Sequence, residues 1–180
     1  MPTTKYCVVR TDKPSGEAQM ADMVSVRFYT TSGSGSSITY TAADVENGVI
    51  AELKGLDPID QNSNEHEIYR AVAATSSSNM NDCVIICSPE LLYDERKKML
   101  DQFINEAGKP ARGYIPRSRN IYSWTKEGFV GGTVPAIGGN VGIGANGKLD
   151  ASGSGFGKCI DIDIAGRYTY YAIEIGVTEA

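Results

Sequence analysis

Lys158-Cys159-Ile160-Asp161-Ile162-Asp163-Ile164, then Gly166, then Tyr168-Thr169-Tyr170-Tyr171-Ala172-Ile173-Glu174-Ile175, is the stretch on which the fold class turns. Both runs alternate apolar and polar residues with a period of two, as a strand with one buried face requires. A glycine between two such runs is a tight-turn signal, so residues 158–175 are predicted to form a β-hairpin.

The same grammar extends upstream. Residues 128–157 are dense in glycine, yet Val134, Ile137, Val141, Ile143 and Leu149 recur between the turn signals, which predicts short β segments joined by tight turns. Asn120-Ile121-Tyr122-Ser123-Trp124 and Ala111-Arg112-Gly113-Tyr114-Ile115-Pro116 read as strands. Cys83-Val84-Ile85-Ile86-Cys87 is the most apolar strand of the chain. Further strands are read at residues 67–72, 49–53, 24–29, 5–10 and 38–41. Thr31-Ser32-Gly33-Ser34-Gly35-Ser36-Ser37 is a flexible polar connector that buries nothing.

One segment reads differently. In Ser88-Pro89-Glu90-Leu91-Leu92-Tyr93-Asp94-Glu95-Arg96-Lys97-Lys98-Met99-Leu100-Asp101-Gln102-Phe103-Ile104-Asn105-Glu106-Ala107-Gly108, apolar residues fall at three- and four-residue steps. Ser88 can cap, Pro89 suits the first helical position, and Gly108 with Pro110 marks a stop. A helix over about residues 89–107, roughly 28 Å long, is predicted to lie across a sheet. The fold class is therefore mainly β (α+β): a compact antiparallel β barrel or sandwich with one long helix and an N-terminal β arm. Residues 1–44 are expected to be an arm or β-hairpin region, and residues 45–180 the β-rich core domain.

Composition narrows the function. The chain has 180 residues, 41% apolar, with 20 Gly and with ten Tyr against four Phe and one Trp, which suits a β-rich protein with half-buried aromatics. Its net charge of −5 lacks the basic footprint a nucleic-acid binder needs. No run approaches the ~18 apolar residues of a membrane span. The amino terminus shows no basic stretch followed by an apolar one, so no secretory signal is read. Synthesis and assembly in the cytosol are expected.

The parts for catalysis are scarce. The four cysteines, Cys7, Cys83, Cys87 and Cys159, form no Cys-x-x-Cys pair. On one strand Cys83 and Cys87 would stand about 13 Å apart, too far for a disulfide or a shared zinc, and buried thiols are expected. The single histidine, His66, sits among polar residues without an activating neighbour. Asp161 and Asp163 share one strand face, where a solvated acidic face explains them better than paired acid/base chemistry. Gly138-Gly139-Asn140-Val141-Gly142-Ile143-Gly144 has no following Lys-Ser/Thr pair or helix pattern, so it is not read as a phosphate loop. Lys109, Arg112, Arg117 and Arg119 make the densest positive patch in an acidic chain, suited to an acidic protein surface or an ordinary charged rim. No enzyme activity, cofactor or metal site is expected.

Four strings carry a resemblance: Val45-Glu46-Asn47-Gly48-Val49; the run from Ser88 to Lys98; Ile104-Asn105-Glu106-Ala107-Gly108-Lys109-Pro110-Ala111-Arg112-Gly113-Tyr114; and the run from Gly157-Lys158 through Gly166-Arg167-Tyr168-Thr169-Tyr170-Tyr171. Over about residues 45–175 the chain resembles small proteins of tailed bacteriophages encoded beside the major capsid protein, the head decoration (cement) and minor structural proteins. The resemblance implies a non-enzymatic virion structural protein that binds the outside of the capsid and stabilises the shell. Its implied partners are the major capsid protein and itself, as a homotrimer or other homo-oligomer, with no nucleic acid and no membrane. Its implied place is the capsid exterior, after synthesis in the host bacterial cytoplasm. Lys5, Tyr6, Arg10, Arg112, Arg117, Arg119 and Trp124 are the candidate capsid contacts. The alternatives are a head fibre or host-adhesion module and a tail or head-completion protein; a small hydrolase using Asp161 and Asp163 is disfavoured.

Overall fold

The structure is a computed structural model and describes residues 4–10, 22–34, 37–57, 68–90 and 99–176. Twelve strands lie among them: β1 (Val9–Arg10), β2 (Met23–Ser32), β3 (Thr39–Ala42), β4 (Ile50–Leu56), β5 (Ile68–Ala73), β6 (Cys83–Ile86), β7 (Ala111–Tyr114), β8 (Ile121–Trp124), β9 (Asn140–Ile143), β10 (Leu149–Asp150), β11 (Gly157–Ala165) and β12 (Tyr168–Ile175). They form two six-stranded sheets, one in the order β1-β8-β12-β11-β9-β10 and the other in the order β3-β2-β5-β4-β6-β7. The second sheet curls until β7 meets β2, which closes β2, β5, β4, β6 and β7 into a ring with β3 attached outside it. Every pairing between these strands is antiparallel except β2 with β5.

Alternation on β4 and β6 sorts side chains into two cores. Ile50, Cys83 and Ile85 face the first sheet and pack with Tyr122, Trp124, Phe129, Phe156, Ile173 and Ile175. Ala51, Val84 and Ile86 point the other way, into the curl, with Val26, Phe28, Ala71 and Ala111. Burial on both faces is why residues 83–86 read as one continuous apolar run. The curl is tight: a Cβ on Gly113 would lie 3.0 Å from Val84 Cγ2. Within the stretch read as an arm, β2 pairs with β3, β5 and β7, and its Val26 is completely buried.

The expected hairpin is present as β11 and β12, turned at Gly166 with φ 62°. The expected helix over 89–107 is not. Residues 91–98 lie outside the described residues, but Leu100–Gln102 is a single 3₁₀ turn and Phe103 is extended at φ −78°, ψ 140°. Asn105 then bridges Val45 antiparallel, with Asn105 N donating to Val45 O at 2.9 Å and Val45 N to Asn105 O at 3.0 Å. The apolar stripe is real as spacing but not as burial, since Met99 and Leu100 are each 41% exposed. Helical spacing alone does not outweigh tertiary hydrogen bonds, because most helix stability comes from packing one buried face. Gly108 does take the left-handed conformation, φ 76°, closing a turn rather than a helix.

What replaces the helix is a knot of polar contacts around Asn47, which is 1% exposed. Its Oδ1 accepts from Ser88 N at 3.0 Å and from Asn105 Nδ2 at 3.1 Å. Its Nδ2 donates to Ser88 O at 2.8 Å and to Glu90 Oε1 at 3.2 Å. Ser88 Oγ in turn accepts from Arg112 N at 2.9 Å. The adjacent Gly48 needs its φ of +86°, and a Cβ there would meet Cys7 Sγ and Trp124 Cδ1 at 2.7 Å. Its carbonyl accepts from Trp124 Nε1 at 3.0 Å. Truncation of Asn47 leaves several buried groups without partners, each costing about 1–3 kcal/mol. Asn47→Ala is therefore predicted to lower unfolding stability by about 2–4 kcal/mol in urea titration; a loss under about 0.5 kcal/mol, the scale of ordinary surface changes, would contradict this reading.

Candidate binding cleft and sheet edge

A cleft of about 570 Å³ opens where β12 passes the turn at Lys126–Gly128. Lys5, Lys126 and Arg167 supply cations, Asp101 and Glu127 carboxylates, and Tyr168 and Tyr171 aromatic walls. Asp101 is only 5% exposed and lies 3.9 Å from Lys5 Nζ and 3.8 Å from Arg167 Nη2. Its carbonyl accepts from Tyr6 N at 2.9 Å, fixing the approach of the amino-terminal segment. Tyr171 is held edge-on against Phe129, with ring centroids 5.7 Å apart. Thr125 Oγ1 is engaged by Val8 N at 3.1 Å, so this hydroxyl serves the fold. The lining suits a polar ligand or a protein segment; among the described residues it contains no thiol or histidine.

Beside the cleft, β11 outruns its outer neighbour. β9 pairs with it only at Gly157 and Lys158, and two further bonds, Gly138 N to Cys159 O at 2.7 Å and Cys159 N to Gly139 O at 2.9 Å, end the contact. Ile160, Ile162 and Ile164 follow with 36%, 38% and 75% exposure.

The candidate contacts are scattered. Lys5 is in the cleft, Tyr6 is half-buried at its rim, and Arg10 lies 5.0 Å above the Tyr170 ring and 3.4 Å from Asp163. Arg112 is half-buried on β7. Arg117 is exposed and paired with Asp22, and exposed Arg119 bonds Glu174 Oε1 at 3.0 Å. Trp124 is a correction: it is 0% exposed, in contact range of Tyr122 and Phe156 across β8, and has no surface to offer a partner. Asp101, Lys126, Glu127 and Arg167 were missed, because nothing local to each sequence position says that the chain brings them together.

Residues read for chemistry occupy structural places. Asp161 Oδ1 accepts from Ile162 N at 2.9 Å. The glycine-rich segment 138–144 commits its backbone groups to β9 and Cys159. His66 lies outside the described residues. All four thiols are free; three are buried and Cys87 is partly so. Burial, reinforced by nearby Glu46, pushes the Cys7 thiol well up. Burial pushes Cys83 to about 11, with Glu52 adding to it, and Cys87 to about 12, with Glu90 adding to it. Among the described residues no three His, Cys, Asp or Glu side chains form a group that could hold a metal ion, and no helix is long and apolar enough to cross a membrane. Comparison with known proteins finds no matching family model, no matching characterised protein and no matching solved structure.

A thiol raised in the folded state contributes stability that is intact below its ordinary value of 9.0 and is lost as pH climbs toward the folded value. Tyr29 and Tyr122, both raised by burial to about 12 from 10.0, act in the same direction. Unfolding midpoints are thus predicted to fall as pH rises from 9 through 11 to 12, with native thiols unreactive toward Ellman's reagent at pH 8. Rapid labelling of Cys83 or Cys87 in folded protein at that pH would contradict the burial described.

Proposed function

We propose that this chain is a non-enzymatic structural protein of a tailed-phage virion, binding the outside of the capsid as a decoration or cement protein and stabilising the shell. The observation that carries the reading is where the resembling strings lie. Residues 45–49, 88–90 and 104–112 meet in space at the Asn47 knot, and residues 157–171 build the β11–β12 ribbon that borders the cleft. The resemblance thus concerns the scaffold and the ribbon beside the cleft, rather than a scattered set of positions. Sheet edges and a polar cleft are tools for adhesion, and a protein that binds only the assembled shell stabilises it by mass action. The major capsid protein is the partner this reading names, with self-association into trimers or other homo-oligomers as its accompaniment. Lys5, Tyr6, Arg10, Arg112, Arg117 and Arg119 remain the contacts it favours; Trp124, which is completely buried, is withdrawn.

A host-adhesion module is the second reading, favoured by Tyr168 and Tyr171 standing with carboxylates and cations in one cleft. Quantitative mass spectrometry of purified virions separates the two. A copy number equal to that of the major capsid protein, or a simple fraction of it, is expected. A few copies or a dozen would indicate a fibre, tail or head-completion role, and none would overturn the virion reading altogether.

A further inference from the structure

We infer that residues 160–165 of β11 form a docking edge for an extended segment of another protein, added as the next strand, whose residues alternate between apolar and Lys or Arg. The turn sets the geometry. Gly166 has φ 62° and Arg167 does not share a positive φ, so Gly166-Arg167 has the form of a type II′ connection with Ala165 opposite Tyr168. Antiparallel pairs then alternate, so that Asp161, Asp163 and Ala165 bond toward β12, while Ile162 and Ile164 turn their N–H and C=O groups outward. Ile162 N donates to the side chain of Asp161 at 2.9 Å, which agrees with this outward direction, and a guest carbonyl takes the place of that carboxylate when it docks. Among the described residues no strand pairs with that outer edge beyond Cys159.

The two faces of the edge differ. Ile162 stands opposite Tyr171 and Ile164 opposite Thr169, both of which line the cleft, so one face is apolar and continuous with it. Asp161 and Asp163 share the other face, with Arg10 approaching Asp163 and Lys158 standing at the paired end of the strand. Two copies of β11 joined about a two-fold at Ile162 would set Asp161 against Asp163 twice, and like charges directly opposite are destabilising. Such carboxylates on an edge strand discourage self-pairing. They do not discourage a guest with cations in those positions and apolar residues over Ile162 and Ile164, because strand addition draws affinity from main-chain bonds and selectivity from alternate side chains.

This names a docking surface for the shell-binding reading and rests on that reading for the identity of the guest. The probe is a capped nine-residue peptide alternating Val and Lys, titrated into the full chain by NMR, with a Val/Glu peptide as comparison. Binding is expected to move the amides of Ile162 and Ile164, with the Val/Glu peptide about tenfold weaker or more. N-methylation of alternate peptide residues is expected to abolish binding, and the double variant D161K/D163K to reverse the preference. Absence of binding overturns the inference. So do shifts confined to Lys126 and Tyr168, or shifts of the same two amides with protein concentration alone, which would make a second copy the occupant. If wild type and D161K/D163K load onto virions equally, the edge inference falls and the shell reading stands. If peptide selectivity holds but the chain is absent from virions, the shell reading falls and the edge stands.

Discussion

The side-chain amide of Asn47 is the contact on which the rest of the molecule depends. A carboxamide can accept two hydrogen bonds and donate two, and all four are made, to residues 88, 90 and 105. Fully satisfied in a buried site, such a network specifies one arrangement, whereas each missing partner would leave a desolvated polar group. Residues 88–90 and 105 are held against the turn that enters β4, and the same turn presents Gly48 to Trp124. Glu46 extends the tie, accepting from Cys7 N at 2.8 Å and pairing with Lys148 at 2.6 Å. Through the turn at residues 45–49 the curled sheet is fastened to both ends of the other one.

Two cores grow from that tie. Trp124, with glycines 48 and 128 pressed close to its ring, anchors the larger one, and mostly Val and Ala, with Phe28 and Ile86, fill the smaller. Beyond the buried polar groups of that tie, polar side chains on the surface form ion pairs such as Arg119 with Glu174. Exposed pairs of this sort add little stability, and their value lies in shaping the potential that a partner meets. The cleft and the β11 edge are continuous through the Ile162–Tyr171 and Ile164–Thr169 pairs, giving one extended margin.

Legibility followed range. The hairpin of β11 and β12, the doubly buried β6 and the burial of its thiol Cys83 could be read because period, turn and composition are local signals. The helix reading failed where helical spacing competed with the bridge between Asn105 and Val45, residues 60 positions apart. Asparagine could have warned of this, since its side chain competes for backbone groups and favours turns over helix interiors. The role of β2 as a strand with three partners was equally hidden, because alternation gives a face but not a neighbour. Helical spacing puts Asp101 on a helix turn, and nothing in that spacing sets it beside Lys5 and Arg167. A lone tryptophan in a strand reads as a surface aromatic unless one knows that Gly48 and Gly128 close over Trp124.

A firm knot at Asn47 and an open edge at β11 are one claim about where this protein is fixed and where it is available. Native-state hydrogen exchange followed by NMR tests both halves together. The amides of Gly48, Ser88 and Arg112 should exchange only through global unfolding, while those of Ile162 and Ile164 exchange far faster through local opening. Knot amides lost by local fraying, or edge amides as protected as the core, would contradict it.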